Sequence, residues 1–188
     1  MLYLASRSPR RRRLLRRLGR PFRVVPTSYR EAIRASQGPA ANAIRHAIGK
    51  ARQARLPRGA SGIVIGAVTF LYFRGRMIGK PKTFAQARRF LRQLSGRSHW
   101  VYTGWCLRGT DTGRILAGYE KTRVTFRRLT EATIERLVRR GHPLDRAGGY
   151  ALQEDRGTLI ARVEGSRSNV IGLPVERVAS ALRRWGRR

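Results

Sequence analysis

Residues 63 to 73 read Ile-Val-Ile-Gly-Ala-Val-Thr-Phe-Leu-Tyr-Phe, the most apolar run in the chain. Eleven residues fall short of the roughly 20 that cross a bilayer. Branched and aromatic side chains dominate the run, so it predicts a central strand buried on both faces. No other apolar run is longer, and residues 1–20 carry too many arginines among their leucines for a secretory signal. The expectation is a soluble, cytoplasmic protein without a membrane partner.

The flanking segments alternate between the two periods. Leu2 to Ala5 predicts a short buried strand, and Leu14, Leu15 and Leu18 form a helical stripe with Gly19 as its stop. Phe22 to Val25 follows as a strand closed by Pro26, which completes a strand, helix, strand unit of the α/β type. From Pro39 to Leu56 the apolar residues Ala43, Ile44, Ala47, Ile48 and Ala51 predict a helix. After the central strand, Arg74-Gly75 turns into a strand at Arg76 to Ile78. Beyond it come a helix from Thr83 to Leu94, strands at His99–Leu107 and Ile115–Phe126, and a helix at Glu131–Arg140 capped by Thr130. A glycine-rich loop from Pro143 to Gln153, a strand from Thr158 to Val163 and a terminal helix ending near Arg184 complete the chain. With 188 residues, 41% of them hydrophobic, and no repeat or low-complexity linker, residues 1–188 read as a single domain. The lone Cys106 excludes an internal disulfide and any site built from several cysteines.

The formal charge of +32 raises nucleic acid as a partner. All but four of the 42 basic residues are arginine, spread over nearly every polar face rather than gathered in one stripe. That spread reads as a compositional bias, with nonspecific adhesion to polyanions at low salt as its consequence.

Two places, the turn after the first strand and Lys80, can attract a phosphate. In Ala5-Ser6-Arg7-Ser8-Pro9-Arg10-Arg11, Ser8 is a good N-cap and Pro9 suits the first helical position. The unpaired amides, the helix dipole and the Arg10 and Arg11 guanidiniums then face one small volume. The same residues also describe an ordinary capped helix with a solvated basic face. Lys50 lies near the end of its helix, and Lys80, locked between Gly79 and Pro81 at a strand end, suits a phosphate ligand, although a surface lysine in a turn is the commoner reading of GKP alone. Glu31, one of only 10 acidic residues, lies in a loop, where a carboxylate can also simply balance the surrounding arginines. Gln153 ends a loop whose glycines let it approach a planar base and whose amide can bond a base edge.

In order, LASRSPRRRRLL, IGKARQA, VIGAVTF followed by GKP, LSGRSHWVYTG, VTFRRLT, PLDRAGGYALQ and EGSRSNVIGLP resemble the Maf family of nucleoside triphosphate pyrophosphatases, once described as septum-formation inhibitors. The resemblance runs from Leu2 to about Leu182. It implies an elongated mixed sheet flanked by helices, in two lobes with a nucleotide cleft between them, related to the inosine triphosphate pyrophosphatases. It also implies hydrolysis of a nucleoside triphosphate between the α and β phosphates, with a divalent cation, Mg²⁺ or Mn²⁺, as cofactor. By position in the family pattern, Ser6, Ser8 and Arg11 hold phosphate, Lys50 and Lys80 neutralise the departing pyrophosphate, and Glu31 helps ligate the metal. Arg10, Thr69 and Gln153 match the branch that acts on dTTP and UTP. A homodimer is among the assemblies open to such a chain.

One departure bears on chemistry. Where the family reads GADT, with its acidic residue as proton acceptor, this chain reads Gly66-Ala67-Val68-Thr69. Loss of a general base costs on the order of 10²- to 10⁴-fold in rate. Trp100 stands where an acidic residue is frequent, Arg146 where lysine is usual and Glu154 where glycine is usual, whereas Asp145 and Glu164 match. Three readings follow: a slow pyrophosphatase of pyrimidine triphosphates, an inactive nucleotide-binding homologue, and a basic nucleic-acid-binding module.

Overall fold

A computed structural model describes residues 1–34 and 36–186. Among them the strands are β1 (Leu2–Leu4), β2 (Phe22–Val24), β3 (Ile63–Phe73), β4 (Arg76–Ile78), β5 (Ser98–Gly109), β6 (Ile115–Phe126) and β7 (Ile160–Glu164). The helices are α1 (Pro9–Arg16), α2 (Pro39–Arg52), α3 (Phe84–Leu94), α4 (Glu131–Arg140), α5 (Arg167–Ile171) and α6 (Val175–Trp185). The sheet is mixed, ordered β2-β1-β3-β5-β6-β7 with β4 paired to β3. The chain divides into two compact units, the first comprising Met1–Val68, Thr103–Glu120 and Gly172–Arg188, the second Thr69–Tyr102 and Lys121–Ile171.

In the first unit β1 runs parallel to both neighbours, with Leu2 opposite Phe22 on one side and Ile63 on the other. Parallel pairs need crossover connections, which α1 and α2 supply. The apolar stripe of α2, Ala43, Ala47 and Ala51, is fully buried. The helix comes this close because the strands beneath it carry glycine at the crossings. A Cβ on Gly66 would sit 2.2 Å from the Ala47 carbonyl oxygen, and one on Gly104 only 2.0 Å from that of Ala43. Tyr3, Val64 and Cys106 pack into the same core, and burial pushes the Cys106 thiol up to about 12, so it is inert.

The helix predicted to reach Leu56 ends at Arg52. Residues 53 to 55 are instead extended against the 26–28 segment: Arg55 N donates to Pro26 O at 2.8 Å, Ser28 N to Gln53 O at 3.3 Å, and Thr27 bridges Ala54.

The second unit is built around Leu71, Leu91, Val124, Phe126 and Ile134, all buried. The β3–β4 hairpin turns through Arg74 and Gly75 at φ of 48° and 76°, the left-handed pair that a tight two-residue turn requires. The predicted loop 143–153 contains three 3₁₀ turns, at Pro143–Asp145, Ala147–Gly149 and Leu152–Glu154. The last strand begins at Ile160 rather than Thr158. The Asp155 carboxylate accepts the amides of Thr158, Leu159 and Ile160, which draws them into a turn. The segment expected only to lead into the terminal helix holds α5. Asn169 anchors it from within, donating to Val101 O at 3.1 Å and to Thr122 Oγ1 at 2.9 Å.

Candidate functional site

In the first unit, four of the expected phosphate ligands meet around the start of α1. Ser8 caps the helix, its hydroxyl accepting from Arg11 N at 3.4 Å. Ser6, buried at the end of β1, accepts from Ser8 N at 3.3 Å and from Arg11 Nη1 at 3.2 Å. Arg11 also donates from Nε to the Gly172 carbonyl at 2.7 Å, a contact that ties the turn to the lead-in of α6. Desolvation lowers the Arg11 pKa to about 10, partly countered by Glu31 and reinforced by the neighbouring Arg10. The guanidinium is charged at neutral pH.

Glu31 and Lys50 form an ion pair, Nζ to Oε1 at 2.5 Å. Partial burial works to raise the Glu31 pKa, but Lys50, Arg11 and His46 outweigh it and hold the carboxyl below its ordinary value. Arg10 adds to the positive charge at Arg11, and Arg11 and Lys50 both act on the Glu31 carboxylate. Such a field favours a multiply charged anion.

A latch onto α2 positions Glu31. The Tyr29 ring lies where a Cβ on Gly49 would be, 2.1 Å from its Cε2, and its hydroxyl bonds His46 Nδ1 at 2.9 Å. Farther along, Asn42 accepts from Arg34 N and donates to the carbonyls of Arg34, Gln37 and Gly38. Arg45 Nη2 donates to Ala32 O at 2.7 Å. The loop is therefore bound to the helix on both sides of Glu31. Sequence reasoning missed Tyr29, Asn42, Arg45 and His46. Their signal is present: Asn42, His46 and Lys50 recur every four residues as a polar stripe on an otherwise apolar helix.

Val68 ends the β3 portion of this unit and is 2% exposed. Among the described residues no three His, Cys, Asp or Glu side chains gather into a metal site. Glu31 offers one carboxylate, already facing Lys50. Mg²⁺ is commonly held by one or two carboxylates plus substrate phosphates and water. The residues therefore fit a divalent ion that arrives with a polyphosphate, not one caged by protein alone.

Thr69, Lys80 and Gln153 belong to the second unit. Thr69 is half-buried on β3, and Lys80 is exposed just beyond β4. Lys80 lines a cavity of about 680 Å³ with Arg74, Arg76, Arg89 and Arg97. Gln153 is exposed in the Leu152–Glu154 turn. The loop leading to it is pinned beside the lysine: Gly148 N donates to Gly79 O at 2.9 Å. Gly148, at φ 69°, passes so close to Leu71 that a Cβ would lie 2.4 Å from its Cδ2. Two of the residues marked as departures, Arg146 and Glu154, are ion-paired with each other.

No described helix is long and apolar enough to cross a membrane. The Maf-like protein family model matches residues 1–185. A protein of Moorella thermoacetica named dTTP/UTP pyrophosphatase is 42% identical over 185 residues, 98% of this chain and 95% of the relative. Proteins of the same name are 42% identical in Thermococcus gammatolerans, over 94% of this chain and 92% of the relative, and 36% identical in Bacillus cereus, over 98% and 95%.

Proposed function

Because the chain belongs to the Maf-like protein family, we propose that it hydrolyses a pyrimidine nucleoside triphosphate of the dTTP or UTP kind to the monophosphate and pyrophosphate. The relatives named dTTP/UTP pyrophosphatase support the substrate class. The observation that carries the reading is that Arg11 and Lys50 both act on the Glu31 carboxylate, with Arg10 beside Arg11.

In this reading Ser6, Ser8, Arg10 and Arg11 hold the triphosphate, and Lys50 and Lys80 offset the charge that grows on pyrophosphate as the bond to the α phosphorus breaks. Thr69 and Gln153 select the base, since the amide can both donate to and accept from a uracil edge. A divalent ion, when bound with the substrate, would neutralise phosphate oxygens, and Glu31 is the residue that would hold it. Water must also lose a proton to attack. Val68 has no acceptor, and Glu31, held below its ordinary pKa by Lys50 and Arg11, is a weak base. The reaction is therefore slow.

Pyrophosphate release from dTTP and UTP with Mg²⁺ tests this, comparing the wild type with Val68→Asp. The expected result is slow wild-type turnover and a gain on the order of 10²- to 10⁴-fold in the variant. A wild type that binds nucleotide without turnover, beside an active V68D, supports the inactive nucleotide-binding reading, which the buried valine favours. No nucleotide binding, with nucleic-acid binding that survives about 0.3 M salt, favours the basic binding module.

A further inference from the structure

The second unit holds another cavity, of about 520 Å³, which none of the residues above proposed for nucleotide lines. Arg136 and Arg140 reach it from one side of α4, being four residues apart, and Arg146 and Arg156 reach it from the loops. Arg146 is only 7% exposed. Its Nη2 donates to Glu154, while its Nε has no hydrogen-bond partner. A guanidinium is a fork built for two parallel bonds, and here one prong is unused.

The carboxylates at this wall are Glu154 and Asp155. Asp155 is committed to the amides of residues 158–160. Glu154 is half-exposed, so it can swing into water at little cost. Four guanidiniums against one movable carboxylate leave an excess of positive charge. A carboxylate ligand, with one charge and two oxygens, would leave most of these donors unmatched. A phosphate offers more charge and more oxygens, and the volume admits something larger than one phosphate.

We propose that this cavity is a second binding site for a phosphate-bearing anion, with Arg146 exchanging Glu154 for phosphate oxygens and Arg136, Arg140 and Arg156 closing around it. Glu154 is then a built-in competitor, so its removal strengthens binding. That sign separates the site from diffuse attraction to an arginine-rich surface, and it does not depend on the hydrolytic reading.

The test is titration of the full chain at about 0.15 M salt with pyrophosphate, inorganic phosphate and UMP, following the Arg146 Nε–H resonance by NMR. That signal is expected to shift. Affinity should tighten several-fold in Glu154→Gln and weaken roughly tenfold in Arg140→Gln, the order of one charge-assisted hydrogen bond. Arg13→Gln, an exposed change on α1, should leave it unaltered. Tighter binding of UMP than pyrophosphate assigns the site to a nucleotide's phosphate, and the reverse assigns it to the free anion; either supports the proposal. A still resonance, no gain in E154Q, or an equal loss in R13Q and R140Q overturns it.

Discussion

Two glycines 38 positions apart set how closely α2 lies on its strands, and replacing either tests the whole positional account of Lys50. An alanine Cβ at Gly66 or Gly104 would fall 2.2 or 2.0 Å from a helix carbonyl oxygen, where no real Cβ comes within 3.0 Å. Neither oxygen belongs to a flexible side chain, so the helix must move by roughly 1 Å, an overpacking that costs about 1–3 kcal/mol. For a chain of this size that is a fall in Tm of roughly 2–12 °C. The displaced helix carries Lys50 and the latch that holds Glu31, and misplacement by about 1 Å can cost on the order of 10²-fold in rate. Thermal unfolding and pyrophosphate release are measured on Gly66→Ala, Gly104→Ala and the double variant. One displacement relieves both clashes, so the double variant should lose less stability than the two single losses together. Gly186→Ala, whose Cβ meets nothing within 4 Å, is the control and should change stability by less than about 0.5 kcal/mol. Single variants that melt like the wild type, or strictly additive losses, refute the reasoning.

Arg11→Lys keeps the charge but cannot reach both Gly172 O and Ser6 Oγ. A loss of about 1–3 kcal/mol in denaturant unfolding, with weaker nucleotide binding, is expected. Lys50→Met removes the strongest cationic influence on Glu31, so the carboxyl should titrate at higher pH when followed by ¹³C NMR; an unmoved titration contradicts the pairing. His99 is held neutral by burial, its pKa lowered to about 3, below the value near 6.5 of the unfolded chain. Below pH 6.5 the unfolded chain binds a proton that the folded one refuses, so this group contributes stability above that pH and withdraws it towards pH 3, by about 1.4 kcal/mol per pH unit. His99→Gln should flatten the acid limb of Tm against pH relative to wild type, and parallel limbs would exclude the mechanism.

The elements were legible because each rests on a local period or cap. Ser8 caps α1 and Thr130 caps α4, where a sequence argument puts them, whereas Thr83, read as the first residue of α3, is its cap. What was not legible depends on residues distant in the chain. Nothing near Leu56 announces that residues 53–55 will pair with 26–28 and stop α2 early. The Asp155 turn that delays β7 is short-range, yet a run of apolar residues gives no hint that a side chain competes for its amides. At the site, Ser6, Ser8 and Arg11 were readable as one group because they share a turn, and the structure ties them to one another. Glu31 was readable only as a rare acid in a loop. Its attachment to Lys50 needs Tyr29 on Gly49 and Asn42 and Arg45 beneath the loop, a set that no short motif contains.

In a chain with 42 basic and 10 acidic residues, clustered arginines carry little information and the placement of each acid carries much. Five of the acids pair with arginine: Glu120, Glu131, Glu135, Glu154 and Glu164. Glu31 instead pairs with Lys50, one of only four lysines in the chain. An arginine fork grips a carboxylate through two parallel bonds, whereas an ammonium is a compact point charge that can share itself among oxygens without fixed geometry. A residue that must release its carboxylate partner and follow a phosphate oxygen as charge builds there is better a lysine. Lys50→Arg therefore tests more than charge. It should keep or tighten the hold on Glu31 in the resting protein, yet lower the rate of pyrophosphate release relative to nucleotide affinity. A Lys50→Arg chain with wild-type turnover would show that only the charge matters.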